Sequence, residues 1–130
     1  MNDGAPRGIV AGHADFASGL VSAVEMITGR GSELLAVQVA GLCGEDIQKL
    51  LKESLLASGA RVIFTDLQAG SCTMAARRVL REVGDVVLVA GANLPMLLDF
   101  ALSSDPSSTA AAIAAAERGR MAVSVIGAPA

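Results

Sequence analysis

Four short apolar runs constrain what this chain can fold into. Residues 7–12, 34–39, 60–66 and 86–90 are rich in Val, Ile and Leu, are too short for buried helices, and read as strands. Between them lie stretches with helical periodicity. Phe16, Leu20, Val24 and Ile27 follow a repeat near 3.6 residues, which predicts a helix over 16–28 with Asp15 as its N-cap and Gly29 closing it. Glu45 and Asp46 open a second helix to about residue 58, with Ile47, Leu50, Leu51 and Leu55 as its buried stripe. A third helix spans 72–83, and a short fourth spans 94–102 with Asn93 as its cap. Pro106 at a first helical position opens an alanine-rich fifth helix over 107–118, and residues 121–126 alternate like a fifth strand. Short apolar strands alternating with amphipathic helices require a parallel sheet covered on both faces. The pattern predicts one three-layer α/β domain over 1–130, with a short tail at 1–6 and the common strand order 2-1-3-4.

Composition narrows the function. The net charge is -3, and there is no basic run and no aromatic platform, so no nucleic-acid partner is expected. Tryptophan and tyrosine are absent, which argues against a dedicated carbohydrate pocket. Cys43 and Cys72 lie far apart and there is one histidine, so a zinc site is not expected. The first residues hold no apolar signal core, and no apolar run approaches the length of a membrane span, which predicts a cytoplasmic protein.

Chemistry in a doubly wound sheet gathers beyond the carboxyl ends of the strands, where strand order reverses. His13, the only histidine, follows the first strand; Asp66 closes the third; Asn93 follows the fourth. With strands one and three adjacent, His13 and Asp66 face each other. A carboxylate on Nδ1 leaves Nε2 as the nucleophile, the orienting logic of hydrolytic triads. The loop Leu67-Gln68-Ala69-Gly70-Ser71 then leads into a helix whose first N–H groups suit an anion. Ser71 reads as the N-cap of that helix. Arg77, Arg78 and Arg81 follow on the same helix, as a solvated face or a docking surface for an acidic partner.

Three stretches carry a resemblance: Ile9-Val10-Ala11-Gly12-His13-Ala14-Asp15-Phe16-Ala17-Ser18-Gly19-Leu20, Phe64-Thr65-Asp66-Leu67-Gln68-Ala69-Gly70-Ser71, and Gly91-Ala92-Asn93-Leu94-Pro95-Met96-Leu97. Together they resemble the IIA domain of the mannose-type sugar phosphotransferase system, over about residues 7–127. The resemblance implies that His13 accepts a phosphoryl group from the phosphocarrier HPr and passes it to a IIB component, with the membrane IIC and IID components served indirectly. Asp66 is then the partner of His13, and Gly70, Ser71 and Asn93 form the phosphate-binding set. It also implies a homodimer in which the last strand is exchanged and runs antiparallel. No cofactor, nucleotide or metal is required.

The chain departs from that pattern in two places. Ala69 stands where glycine is common and requires a negative φ there, and Cys72 stands where proline or threonine is common. A helix N-terminus lowers a thiol pKa, so Cys72 reads either as a small packing residue or as a redox-sensitive thiol. Two other functions fit the same residues: a regulatory or dihydroxyacetone-kinase-type phosphodonor module of this fold, and a small hydrolase using His13 and Asp66 as a base pair.

Overall fold

The computed structural model describes residues 4–127, so the first half of the expected tail at 1–6 lies outside the described residues. Its strands are β1 (Gly8–Ala11), β2 (Leu34–Ala36), β3 (Val62–Thr65) and β4 (Val87–Ala90), and its helices are α1 (Phe16–Thr28), α2 (Gly44–Ser58), α3 (Ser71–Leu80), α4 (Leu94–Leu102) and α5 (Ser108–Met121). The strands pair in parallel in the order β2-β1-β3-β4, as the sequence predicts. Val10 is in register with Phe64, and Ala11 with Thr65.

Successive side chains on a strand face opposite sides of the sheet. Val10, Val62 and Phe64 enter a layer shared with Val24 of α1, Leu97 and Phe100 of α4, and Ala112 of α5. Ile9, Ala11 and Ile63 enter the other layer, with Leu51 and Leu55 of α2 and Val79 of α3. Both central strands are therefore buried on both faces, which explains why their sequences carry almost no polar residue.

With so few aromatics, the first layer is built around one pair. The Phe64 and Phe100 rings meet edge to face with centroids 5.0 Å apart. The Arg7 guanidinium covers Phe100 at 5.6 Å and donates to the Asp105 carbonyl at 2.6 Å. A Cβ at Gly8 would lie 3.0 Å from both rings. The alanines of α5 let it approach α4 closely. At Gly119 a Cβ would lie 2.7 Å from the Met96 Cβ.

Several local expectations need correction. Asp15 occupies the N-cap position of α1 but its side chain makes no capping bond; the Ser18 hydroxyl and the Gly19 N–H take its carbonyl instead. Ile27 lies on the solvent side of α1 rather than in its stripe, because Val24 and Ala17 already fill the contact. β2 stops at Ala36, although Val37 still donates to the Val10 carbonyl. A single 3-10 turn at Gly31–Glu33, unmarked in the sequence pattern, precedes it. Pro106 lies outside α5, whose cap is the Ser107 hydroxyl accepting from the Ala110 N–H.

The expected fifth strand does not form within the chain. α5 runs on to Met121, and Val123, Val125 and Ile126 are 74%, 96% and 93% exposed. A strand needs an edge to pair with, and no strand among the described residues pairs with this segment. Among the described residues, no helix is long and apolar enough to cross a membrane.

Truncating Phe100 to alanine removes half of the aromatic pair and the floor beneath Arg7. We expect Phe100→Ala to lose about 3–5 kcal/mol of stability, measured as a shift in the urea unfolding midpoint at unchanged m-value.

Candidate functional site

β1 and β3 are neighbours, yet the helices that follow them cover opposite faces of the sheet. The carboxyl ends of these strands therefore open into a crevice, and His13 and Asp66 stand on its two sides. The Asp66 Oδ2 accepts two hydrogen bonds from one residue: from the His13 backbone N–H at 2.8 Å and from the ring Nδ1 at 2.7 Å. The His13 side chain is 60% exposed and that of Asp66 is 9% exposed. Thus the carboxylate is the buried, fixed partner and the imidazole the accessible one.

Glycine at position 12 is required by this approach. A Cβ there would lie 2.6 Å from the Phe16 Cδ2 and 2.9 Å from both the Cγ and Oδ2 of Asp66. The next turn is equally tight. Ala14 adopts φ 47°, in the left-handed region, and the Phe16 N–H closes back on the His13 carbonyl at 3.0 Å. That conformation costs a non-glycine residue about 1 kcal/mol, and the turn it makes aims the His13 ring outward.

Burial alone pushes the Asp66 carboxyl up, but the His13 backbone N–H, its ring N–H and its charge outweigh that and hold Asp66 below its ordinary value of 3.8. At neutral pH the carboxylate is ionised and only accepts, so the proton of this pair lies on Nδ1 and, in the neutral imidazole, the Nε2 lone pair is free. Among the described residues, no hydrogen bond engages Nε2 and no serine or cysteine bonds to His13. Asp66 Oδ1 is buried without a hydrogen-bond partner.

Gly70 lies against the pair. A Cβ on it would sit 3.5 Å from the His13 Cε1 and 3.6 Å from the Asp66 Oδ1. Gly70, not Ser71, is the N-cap of α3, and Ser71 is the exposed first helical residue. The first helical bond runs from the Met74 N–H to the Gly70 carbonyl, so the N–H groups of 71–73 have no helical acceptor and no side chain caps them. This set of free donors begins directly after Gly70, the residue that lies against His13. Ala69 keeps a negative φ, as the loop requires of a residue in place of glycine.

Asn93 is committed elsewhere. Its Oδ1 accepts from the Met96 N–H at 3.0 Å, the expected cap of α4, and its Nδ2 donates to the Gly119 carbonyl at 3.0 Å, joining α4 to α5. Both functional groups of its side chain serve packing. Of the three arginines, Arg78 is likewise structural, donating to Gln48 Oε1 at 2.8 Å, while Arg77 on α3 and Arg81 at its C-cap remain exposed.

Cys72 departs from the redox expectation. It is 1% exposed, and burial followed by the nearby Asp66 charge pushes its thiol up. The helix terminus does not overcome desolvation at a site already facing a carboxylate, so Cys72 is a packing residue beneath the loop. Sequence reasoning assigns no role to Thr65 and Thr73. Both are buried, their Oγ1 atoms are 2.6 Å apart, and Thr73 also bonds the Leu67 carbonyl. The available signal is a polar residue at a buried position of each element's pattern.

An open parallel sheet with its crevice at the β1–β3 switch point defines a doubly wound α/β protein of the ligand-at-the-crevice class. The chain belongs to the family of PTS system fructose IIA components (EIIA-man), whose model matches residues 8–117. It is thus a IIA component of the mannose type, with the phosphotransferase role of that family and its association with HPr and IIB components. Solved structures share the fold. A mannose/sorbose-specific IIA subunit from Enterococcus faecalis is 22% identical with a TM-score of 0.81, the match covering 96% of this chain and 97% of that one. Component EIIA from Streptococcus agalactiae is 22% identical with a TM-score of 0.73, covering 87% and 93%. The IIA protein associated with the fucose utilization operon of Streptococcus pneumoniae is 22% identical with a TM-score of 0.72, covering 91% and 90%. No curated protein matches the sequence at a significant level.

Because the folded pKa of Asp66 is depressed, its ionisation stabilises the fold. That contribution is full above about pH 4 and is lost as pH falls through the folded value. We expect wild type to lose urea stability on this acid limb and Asp66→Asn to show a shallower acid loss. Equal slopes for the two proteins contradict the assignment.

Proposed function

We propose that the protein is a cytoplasmic phosphoryl carrier of a bacterial sugar phosphotransferase system. The observation that carries this reading is the bond from Nδ1 to the buried Asp66 Oδ2 at 2.7 Å, with the ring 60% exposed. His13 attacks through the Nε2 lone pair. The N–P bond of phospho-HPr breaks as the N–P bond to His13 forms, and the electron pair returns to the HPr imidazole. The proton on Nδ1 stays in its bond to Asp66, so no acid or base changes state and positioning supplies most of the rate. The phosphoryl group brings its negative charge to a site beside Gly70 and Ser71, where the N–H groups at the start of α3 stabilise it. Reversal onto a IIB component completes the shuttle, and membrane IIC and IID components use the product for sugar uptake. The side chain of Asn93 holds the α4–α5 frame rather than the phosphate.

Incubation with enzyme I, HPr and phosphoenolpyruvate tests this. Wild type is expected to take up acid-labile, alkali-stable label that is absent from His13→Ala and chased by a mannose-type IIB component. No label with competent donors rules the reading out. Label that IIB leaves in place, but a dihydroxyacetone-kinase system consumes, assigns the phosphodonor role instead.

The carrier is also proposed to work as a homodimer. β4 is half-buried along its whole length at the sheet edge. A groove of about 650 Å³ beside it is lined by Val87, Val89, Ile113 and Ala116, among others, and the apolar residues of 123–126 are exposed. Exchange of residues 122–126 between copies covers both features. Deleting the chain from residue 122 onward is expected to halve the mass measured by light scattering. A truncated chain of unchanged mass removes the exchange.

A further inference from the structure

The Thr65–Thr73 pair lies outside the chemistry above, yet it joins the end of β3, the loop after Asp66 and the first turn of α3. Thr65 is the last residue of β3, and its carbonyl accepts the N–H groups of Gly91 at 3.0 Å and Ala92 at 2.9 Å. Its hydroxyl meets the Thr73 hydroxyl at 2.6 Å, and the Thr73 hydroxyl bonds the Leu67 carbonyl. A carbonyl only accepts, so the polarity of this chain is fixed: Thr73 donates to Leu67, and Thr65 donates to Thr73. The two residues are 0% and 2% exposed, so water does not replace either bond.

We infer that Thr73, supported by Thr65, is a positioning residue for transfer at His13. The hydroxyl relay clamps the first turn of α3 and the start of the 67–70 loop onto the end of β3. It thereby fixes the distance between the His13 ring and the α3 N–H groups that receive the phosphoryl charge. The geometry leaves little slack. Gly70 packs against both His13 Cε1 and Asp66 Oδ1, and Asp66 follows Thr65 directly, so rotation of the loop moves the carboxylate and the anion cradle together. The inference rests on His13 being the phosphoryl carrier.

The test compares full-length wild type, Thr73→Ser, Thr73→Val and the double variant Thr65→Val/Thr73→Val. Single-turnover labelling from phospho-HPr gives the rate, and the 31P resonance of the phosphohistidine reports the surroundings of the anion. Thr73→Val is expected to be labelled roughly ten- to a hundredfold more slowly, with a displaced 31P resonance. Thr73→Ser, which keeps the hydroxyl, is expected to restore both. If Thr73→Val does not fold because Thr65 is left unpaired, the double variant decides, since removing both hydroxyls leaves neither one unpaired; it is expected to fold and remain slow. Wild-type rate and resonance in whichever valine variant folds overturn the inference, as does a rate loss matching only the unfolded fraction seen by circular dichroism. Absence of label in wild type is a different failure, that of the carrier reading itself.

Discussion

The contact between His13 and Asp66 joins the two halves of the sheet at the place where they part. β1 and β3 lie side by side and are held by parallel ladder bonds up to Ala11 and Thr65. Just beyond the ladder the partners become a carboxylate and an imidazole, and the same Oδ2 receives both the backbone and the ring of His13. The sheet therefore continues, chemically, past its last backbone pair. A structural ladder ends in a bond that fixes a tautomer.

Around that bond the fold is arranged to keep one side of the imidazole committed and the other open. Gly12 lets the carboxylate approach the backbone, the left-handed Ala14 turns the chain away immediately after the ring, and Gly70 closes the floor. Burial disfavours the charged carboxyl, and chiefly the His13 contacts reverse that preference. The ionised state is thus a property of the pair rather than of Asp66 alone. Oδ1 carries the remaining cost as a buried acceptor without a partner.

Much of this arrangement is legible in the amino-acid sequence. The parallel sheet follows from the alternation of elements, its order 2-1-3-4 is the common one for such sheets, and the meeting of His13 and Asp66 follows from that order. Gly29 and Gly59 close their helices in the left-handed conformation, and Asn93 caps α4. The features that sequence misplaces share a cause. Asp15, Ser71 and Pro106 differ from expectation because a cap depends on single-residue register, which periodicity does not resolve. Cys72 differs because a helix terminus is visible in sequence, whereas desolvation and the facing carboxylate are not. Thr65 and Thr73 are eight residues apart on different elements, and nothing local marks them as partners. The segment 121–126 has the alternation of a strand, but alternation does not say which edge completes it.

Gly12 has a consequence at the level of inheritance. Any single-base change in a glycine codon that exchanges the residue for another introduces a side chain with a Cβ. At this position a Cβ meets Phe16 and a carboxylate already held by two hydrogen bonds. The carboxylate cannot step aside without releasing His13. No one-step missense route through codon 12 leaves the site undisturbed, even though the residue contributes no reacting group. A gene under selection for His13 chemistry is thereby held at a codon that encodes only the absence of an atom.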